Sequence, residues 1–169
     1  MARRLRTFSG PQECALNGDL LEHVNWAWGL SLTALTIAIH AAGVVVLAFV
    51  SSRIRVRMEN GRIGQRYVIP IVIGLVAAAG LLLAVLHGIE AAIWAAAYFW
   101  VGALDSPLAA ILYSVEAMST LGGSGLTLQG PWRMMGALEA ANGMLLFGIS
   151  TAFIFALMQS AWPMLSRRH

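Results

Sequence analysis

The sequence predicts an all-α integral membrane protein with three transmembrane helices and one shorter, re-entrant helix in each chain. Of its 169 residues, 59% are apolar and 11% are charged, whereas a soluble domain carries about 25% charged residues. Three ranges contain no Asp, Glu, Lys or Arg: 24–52, 67–89 and 140–166. Each is longer than the roughly 20 residues that a helix needs to cross a bilayer. Runs of this length indicate helices rather than a barrel.

One membrane domain accounts for the chain. It divides into an N-terminal head (1–20), an extra transmembrane helix (21–52), a basic cytoplasmic loop (53–66), a C-terminal module (67–161) and a cytoplasmic tail (162–169). The head begins with a basic segment, but no apolar signal-peptide core follows it. Cys14 is the single cysteine, which excludes an internal disulfide and a multi-cysteine metal site.

The arginines indicate orientation rather than nucleic-acid binding. The net charge is +3, all eleven basic residues are Arg, and most of them flank apolar runs. The loop 53–66 and the tail hold seven arginines, and the other side of the membrane holds four: Arg3, Arg4, Arg6 and Arg133. Because cytoplasmic segments carry the excess of arginine, we expect the loop and the C-terminus in the cytoplasm and the N-terminus outside. The membrane would be the cell membrane, the bacterial inner membrane.

The second apolar helix is unusually long. Between residues 67 and 104 only Glu90 is charged, and at 1.5 Å per residue this range extends about 57 Å. It therefore forms either one tilted helix or two crossings with a turn at Gly80 or Gly88. We favour the single helix because neither glycine has the neighbours that mark a loop. Its outer end would be the aromatic group Trp94, Tyr98, Phe99 and Trp100.

A short capped helix follows this segment. Asp105 or Ser106 would cap it and Pro107 would occupy its first turn. The run from Pro107 to Thr120 is too short to cross a bilayer but suits a re-entrant helix. A glycine-rich segment, residues 120–125, comes next. It is either a flexible turn or irregular backbone lining water, and a plain turn would not explain the capped helix before it.

The residues Leu112 to Gly122 read LYSVEAMSTLG and resemble the pore helix and filter entrance of prokaryotic two-helix potassium channels, some of which read SVETATTVGYGD. The likeness continues into Arg133, Gly143, Phe147, Gly148, Thr151 and Ala152. It covers residues 107–155 well, 67–104 only as an outer helix, and 1–66 not at all. It implies that 67–161 is a pore module with outer helix 67–104, pore helix 107–119, filter 120–125 and inner helix 132–161.

The filter departs from the family pattern. TVGYGD is replaced by Thr120, Leu121, Gly122, Gly123, Ser124 and Gly125. The resemblance implies that the carbonyls of residues 120–124 bind monovalent cations, K⁺ or Na⁺. Gly123 cannot supply the family's aromatic brace, and Ser124 falls where the family uses glycine in a left-handed conformation, which costs other residues about 1–2 kcal/mol. We therefore expect weak potassium selectivity. A shifted frame, with Gly123 and Gly125 as the filter glycines, stays open.

Other residues of the module have two interpretations each. Glu116 lies one turn before Thr120 and either supports the filter, together with Ser119, or only packs. The resemblance makes Gly143 a hinge, and it places four residues along the pore: Phe147, Thr151, Phe155 and Gln159. The alternative is helix packing through small residues such as Gly143 and Gly148.

Ionisable groups in apolar helices are candidates for function because each charge costs at least about 2.5–3.5 kcal/mol at the bilayer centre. His87 and Glu90 share a helix face, as in half of a bundle metal site. One such pair is not enough, so we expect a hydrogen bond to a neighbouring helix and no metal. His40 is expected to be a packing residue. Glu139 lies either near the outer mouth or against Asn142 or the pore helix.

The predicted function is that of a tetrameric, potassium-channel-like cation channel. Since such a filter is built from four loops, the chain would form a homotetramer surrounded by membrane lipids. We expect no enzymatic activity, no cofactor and no nucleic-acid partner. Two alternatives remain: a non-conducting structural or regulatory subunit, and a small proton-coupled transporter using His40, His87 and Glu90. The transporter would lack the paired interrupted helices typical of that class.

Overall fold

The computed structural model describes residues 11–60, 67–128 and 130–166. Within these ranges the chain is all-α, without strands. Its elements are α1 (Pro11–Glu59), α2 (Val68–Trp100), α3 (Pro107–Ser119), a 3₁₀ turn (Gly130–Trp132) and α4 (Arg133–Ser166). The segments long and apolar enough to cross a membrane are Trp26–Met58, Val68–Trp100 and Arg133–Pro163. The all-α class and the three candidate spans are thus confirmed.

Helix α1 extends well beyond the predicted range 21–52. Residues 11–20, expected as a head, and residues 53–59, expected as a loop, are helical. Arg53 ends the apolar run, but the segment from Arg53 to Glu59 contains neither Gly nor Pro, so nothing in it breaks the helix. Hydropathy marks where a chain meets water and not where a helix ends. The remaining predicted loop (61–66), residues 1–10 and the arginines of the tail lie outside the described residues.

Helix α2 is one helix, as predicted, but it ends at Trp100 rather than at residue 104. Gly102 adopts a left-handed conformation (φ +69°). The Ala103 N–H donates to the Tyr98 carbonyl at 2.9 Å. This is a glycine C-cap of the Schellman type. The four aromatic residues predicted at the outer end of α2 differ in exposure. Trp94 and Tyr98, one turn apart, are fully buried, whereas Phe99 and Trp100 are exposed.

Helix α3 has the bounds that the sequence predicts. Pro107 occupies its first turn, and Ser106 is the extended N-cap residue, although its side chain makes no capping hydrogen bond. Thr120 ends the helix in a left-handed conformation (φ 54°, ψ 20°). The Leu121 N–H donates to the Glu116 carbonyl at 3.0 Å.

Helix α3 lies against both α2 and α4. Its Met118 packs with Ala91 of α2 and Leu146 of α4. A Cβ atom on Gly143 of α4 would lie 2.7 Å from Met118 Cα, so only glycine allows the two helices to approach this closely. A second core includes Trp94, Tyr98 and Met135. Many apolar side chains of the long helices remain exposed, as expected of surfaces that meet lipid or another protein chain.

Candidate functional site

The glycine-rich segment 120–125 lies at the surface of the single chain. All six residues are exposed, and Leu121 is 78% exposed. Gly122, Gly123 and Gly125 have φ angles of 56°, 138° and 73°. These three glycines have no hydrogen-bond partner within the described part of the chain. Their backbone groups are therefore available to a ligand or to another subunit.

Ser124 was predicted to adopt a left-handed conformation at a steric cost, and this prediction is wrong because its φ angle is not positive. Thr120, at the end of α3, is the one non-glycine residue with a positive φ in the described ranges. Positive angles otherwise fall on glycines, which bear them at little steric cost. Gly122, Gly123 and Gly125 all have positive φ angles, so these angles do not distinguish the two filter frames.

Glu116 binds this segment directly. The Ser124 N–H donates to Glu116 Oε1 at 3.0 Å, and the Ser124 hydroxyl donates to Oε2 at 2.5 Å. The Leu126 N–H in turn donates to Ser124 Oγ at 3.2 Å. Ser124 is thus the hydrogen-bond partner of this carboxylate in the described part of the chain. Ser119 makes no such contact, because its hydroxyl donates to the Val115 carbonyl within α3.

The exposed face of α4 carries four of the five predicted hinge and pore-lining residues. Phe147 and Phe155 are 46% and 61% exposed, and Thr151 and Gln159 are also exposed. Gly143 is buried against Met118 in an uninterrupted helix. Its contact is the close packing of small residues that the sequence offered as the alternative to a hinge.

Glu139 is fully buried and joins three helices. It accepts a hydrogen bond from the Tyr98 hydroxyl of α2 at 2.7 Å. It is also hydrogen-bonded to the Ser114 hydroxyl of α3. Of the two sequence interpretations, contact with the α3 helix is the one found. Asn142 instead donates to Thr36 Oγ1 of α1 at 2.8 Å.

A second buried cluster contains His40, His87, Glu90 and Ser150. His40 Nδ1 lies 2.9 Å from Glu90 Oε1, and His87 Nδ1 lies 3.3 Å from Glu90 Oε2. On the opposite side, both Nε2 atoms face the Ser150 hydroxyl, at 3.1 Å from His40 and 3.2 Å from His87. Glu90 therefore connects α2 to a neighbouring helix, as expected, and His40 is the buried partner. His87 and Glu90 of α2 are not an isolated pair, because His40 of α1 and Ser150 of α4 also belong to the cluster.

The sequence did not indicate four residues whose hydroxyl groups are hydrogen-bonded to a side chain of another helix. They are Thr36, Tyr98, Ser114 and Ser150. Ser and Thr are common in transmembrane helices, where they often bond their own backbone. Their residue types alone gave no signal. Only the pairing across helices identifies them.

Comparisons with protein-family models, with curated proteins and with solved structures find no match to this chain.

Proposed function

We propose that this chain is the pore-forming subunit of a homotetrameric cation channel. The observation that carries the proposal is the exposed glycine-rich segment 120–125, held by Glu116 against the end of a short helix. Four copies of this segment around an axis would present their carbonyls to passing ions, as in potassium channels.

The depth of the segment supports this arrangement. Met118, near the end of α3, packs against Gly143. Gly143 lies ten residues after Arg133, or about 15 Å along α4. If α4 crosses the membrane, residues 120–125 would lie well inside the hydrocarbon layer. Irregular backbone is not tolerated against lipid and has to face protein or water. Other copies of the chain surrounding a water-filled centre would provide both.

The filter would pass monovalent cations, K⁺ or Na⁺, with weak discrimination. Selectivity depends on carbonyls held at fixed positions. Glu116 fixes Ser124, but a Cβ atom at Gly123 would meet no described residue within 4 Å apart from its two chain neighbours. The segment is therefore anchored at one residue and unbraced at its neighbour. Below it, the exposed residues Phe147, Thr151, Phe155 and Gln159 of α4 would line the pathway. No enzymatic step and no cofactor enters this mechanism.

The proposed location is the bacterial inner membrane, with the N-terminus outside and the C-terminus in the cytoplasm. The arginine distribution supports this orientation. It also places the short helix α3 and the filter segment on the outer half of the membrane, since both follow the outer end of α2.

Cross-linking and ion flux test the proposal together. In detergent, cross-linking should give a ladder that ends at four chains. In liposomes, the protein should carry K⁺ and Na⁺ flux. Glu116→Gln should reduce that flux, because it removes the charged acceptor of two hydrogen bonds to Ser124. Ser119→Ala is the matched control in the same helix and should leave flux unchanged. A ladder ending at two chains would leave no central pore and would refute the proposal.

A non-conducting structural or regulatory subunit is the second candidate. The open, unbraced backbone at Gly123 favours it, because such a segment could collapse instead of holding ions. Under this alternative the protein forms tetramers, and the wild-type chain gives no flux in liposomes.

A further inference from the structure

The cluster of His40, His87 and Glu90 has the composition and geometry of a metal site. We propose that it binds one divalent transition-metal ion, such as Zn²⁺, between α1 and α2. The proposal does not depend on ion conduction. Two imidazoles and one carboxylate form the ligand set of several catalytic zinc and non-haem iron sites. One donor atom from each residue lies within 4.8 Å of the others.

The distances suit a single ion. Ligand atoms bound at about 2.0–2.2 Å in tetrahedral geometry lie roughly 3.3–3.6 Å apart. The two measured separations between an Nδ1 atom and the Glu90 carboxylate are 2.9 and 3.3 Å. All three ligand atoms lie within 4.8 Å of one another, so rotation of side chains would have to bring the most distant pair closer by at most about 1.5 Å.

Hydrogen bonding leaves part of the cluster unsatisfied. The His87 Nδ1 and Glu90 Oε2 atoms are buried, and neither has a hydrogen-bond partner in the described residues, because their contact lacks hydrogen-bond geometry. Buried polar atoms without partners are rare in native proteins. A proton between His40 and Glu90 would satisfy one side only. A metal ion would satisfy His40, His87 and Glu90 at once.

Ser150 can orient both imidazoles for this role. When each ring carries its proton on Nε2, the Ser150 hydroxyl oxygen accepts a hydrogen bond from both rings. In that arrangement both Nδ1 lone pairs point toward the Glu90 carboxylate, and a metal ion would fit between the three acceptors. Hydrogen bonding of the second ring nitrogen is the usual way in which proteins fix a histidine ligand.

The His87 side chain is 13% exposed and borders a cavity of about 230 Å³ together with Gly88, Val115, Ser119 and Phe147. Its Nδ1 atom is buried, so the ion would lie in the interior of the protein. A water molecule in the fourth coordination position would complete a tetrahedral site. The Glu90 carboxylate would gain the positive partner that a buried charge in a membrane requires.

Metal content tests the proposal directly. The full chain, purified without a histidine tag and stripped with a chelator, is dialysed against Zn²⁺ and analysed by mass spectrometry. We expect one Zn²⁺ per chain and a higher midpoint of thermal unfolding with Zn²⁺. Glu90→Gln, nearly identical in shape, should lose the ion and the thermal shift. The matched control, His23→Ala with His169→Ala, removes the other two histidines and should retain both.

Ser150→Ala keeps all three ligands and provides a second test. It should weaken Zn²⁺ binding by about 10–100-fold, as is typical when a hydrogen bond to a ligand is lost. Co²⁺ in place of Zn²⁺ gives an absorption spectrum of the wild-type site, which stays informative if Glu90→Gln fails to fold. Folded wild-type protein that retains no Zn²⁺, or Zn²⁺ retained equally by folded Glu90→Gln, would overturn the proposal. So would a wild-type Co²⁺ spectrum that matches the free ion.

Discussion

Replacing Gly143 by alanine tests whether α3 is seated on α4 as the structure places it. The new Cβ atom would lie 2.7 Å from Met118 Cα and 2.9 Å from the Met118 carbonyl carbon. Ordinary contacts between carbon atoms are about 3.5–4.0 Å, so α3 has to retreat by roughly 1 Å. The obstructing atoms belong to backbone and cannot rotate away. Overpacking of this kind costs about 1–3 kcal/mol.

Gly80→Ala is the matched control, because a Cβ there meets no atom within 4 Å. Both substitutions gain about 1 kcal/mol of helix propensity. That gain cancels in the comparison, which leaves the clash. Gly143→Ala should therefore lower the free energy of unfolding by about 1–3 kcal/mol relative to Gly80→Ala. Unfolding in mixed detergent, followed by circular dichroism, measures the difference. Equal stability of the two variants would show that α3 does not approach Gly143 closely.

Three further predictions concern the filter and the topology. Ser124→Ala removes one of the two hydrogen bonds to Glu116 but keeps the backbone one, so it should reduce cation flux less than Glu116→Gln does; an equal or larger reduction would contradict the anchoring role of the Ser124 N–H. The double change Gly123→Tyr with Ser124→Gly should raise K⁺ over Na⁺ permeability, seen as a shift of reversal potential under bi-ionic conditions, whereas strong exclusion of Na⁺ by the unmodified protein would refute the weak-selectivity argument. An impermeant thiol reagent added outside intact cells should label Cys14. If it labels Gly61→Cys in a Cys14→Ser background, the proposed orientation is wrong.

The sequence predicted most of the helices because each depends on local information. Pro107 and the preceding Ser106 gave the start of α3, and continuous apolar runs gave the three long helices. Predicted helix boundaries were wrong where the end of an apolar run was equated with the end of a helix. The predicted end of α1 at residue 52 relied on the charge of Arg53, although arginine is a good helix former. The predicted end of α2 at residue 104 did not take account of Gly102, whose left-handed conformation ends the helix at Trp100. Gly80 and Gly88, which were considered as turns and rejected, do lie inside the helix.

Contacts between distant residues were beyond the reach of sequence reasoning. His87 and Glu90 are neighbours on one helix, so their pairing was predictable from spacing. His40 is 50 residues from Glu90, and no periodicity relates them. The absence of a metal site was expected on the basis of the visible pair alone. Glu116 is the intermediate case, since its position behind the segment followed from helical spacing, but its partner Ser124 depends on how the glycines turn the chain.

The N-terminal helix α1 has no counterpart in the resemblance to two-helix channels, yet its contacts make it part of the same core. Thr36 receives a hydrogen bond from Asn142 of α4, and His40 contacts Glu90 of α2. Gly43 allows close packing, since a Cβ there would lie 2.7 Å from a methyl group of Leu86. Breaking a buried polar contact costs about 1–3 kcal/mol. Displacement of α1 would therefore disturb α2 and α4, the two helices that hold α3 and the filter segment. A metal ion at His40 and Glu90 would tighten the connection between α1 and α2.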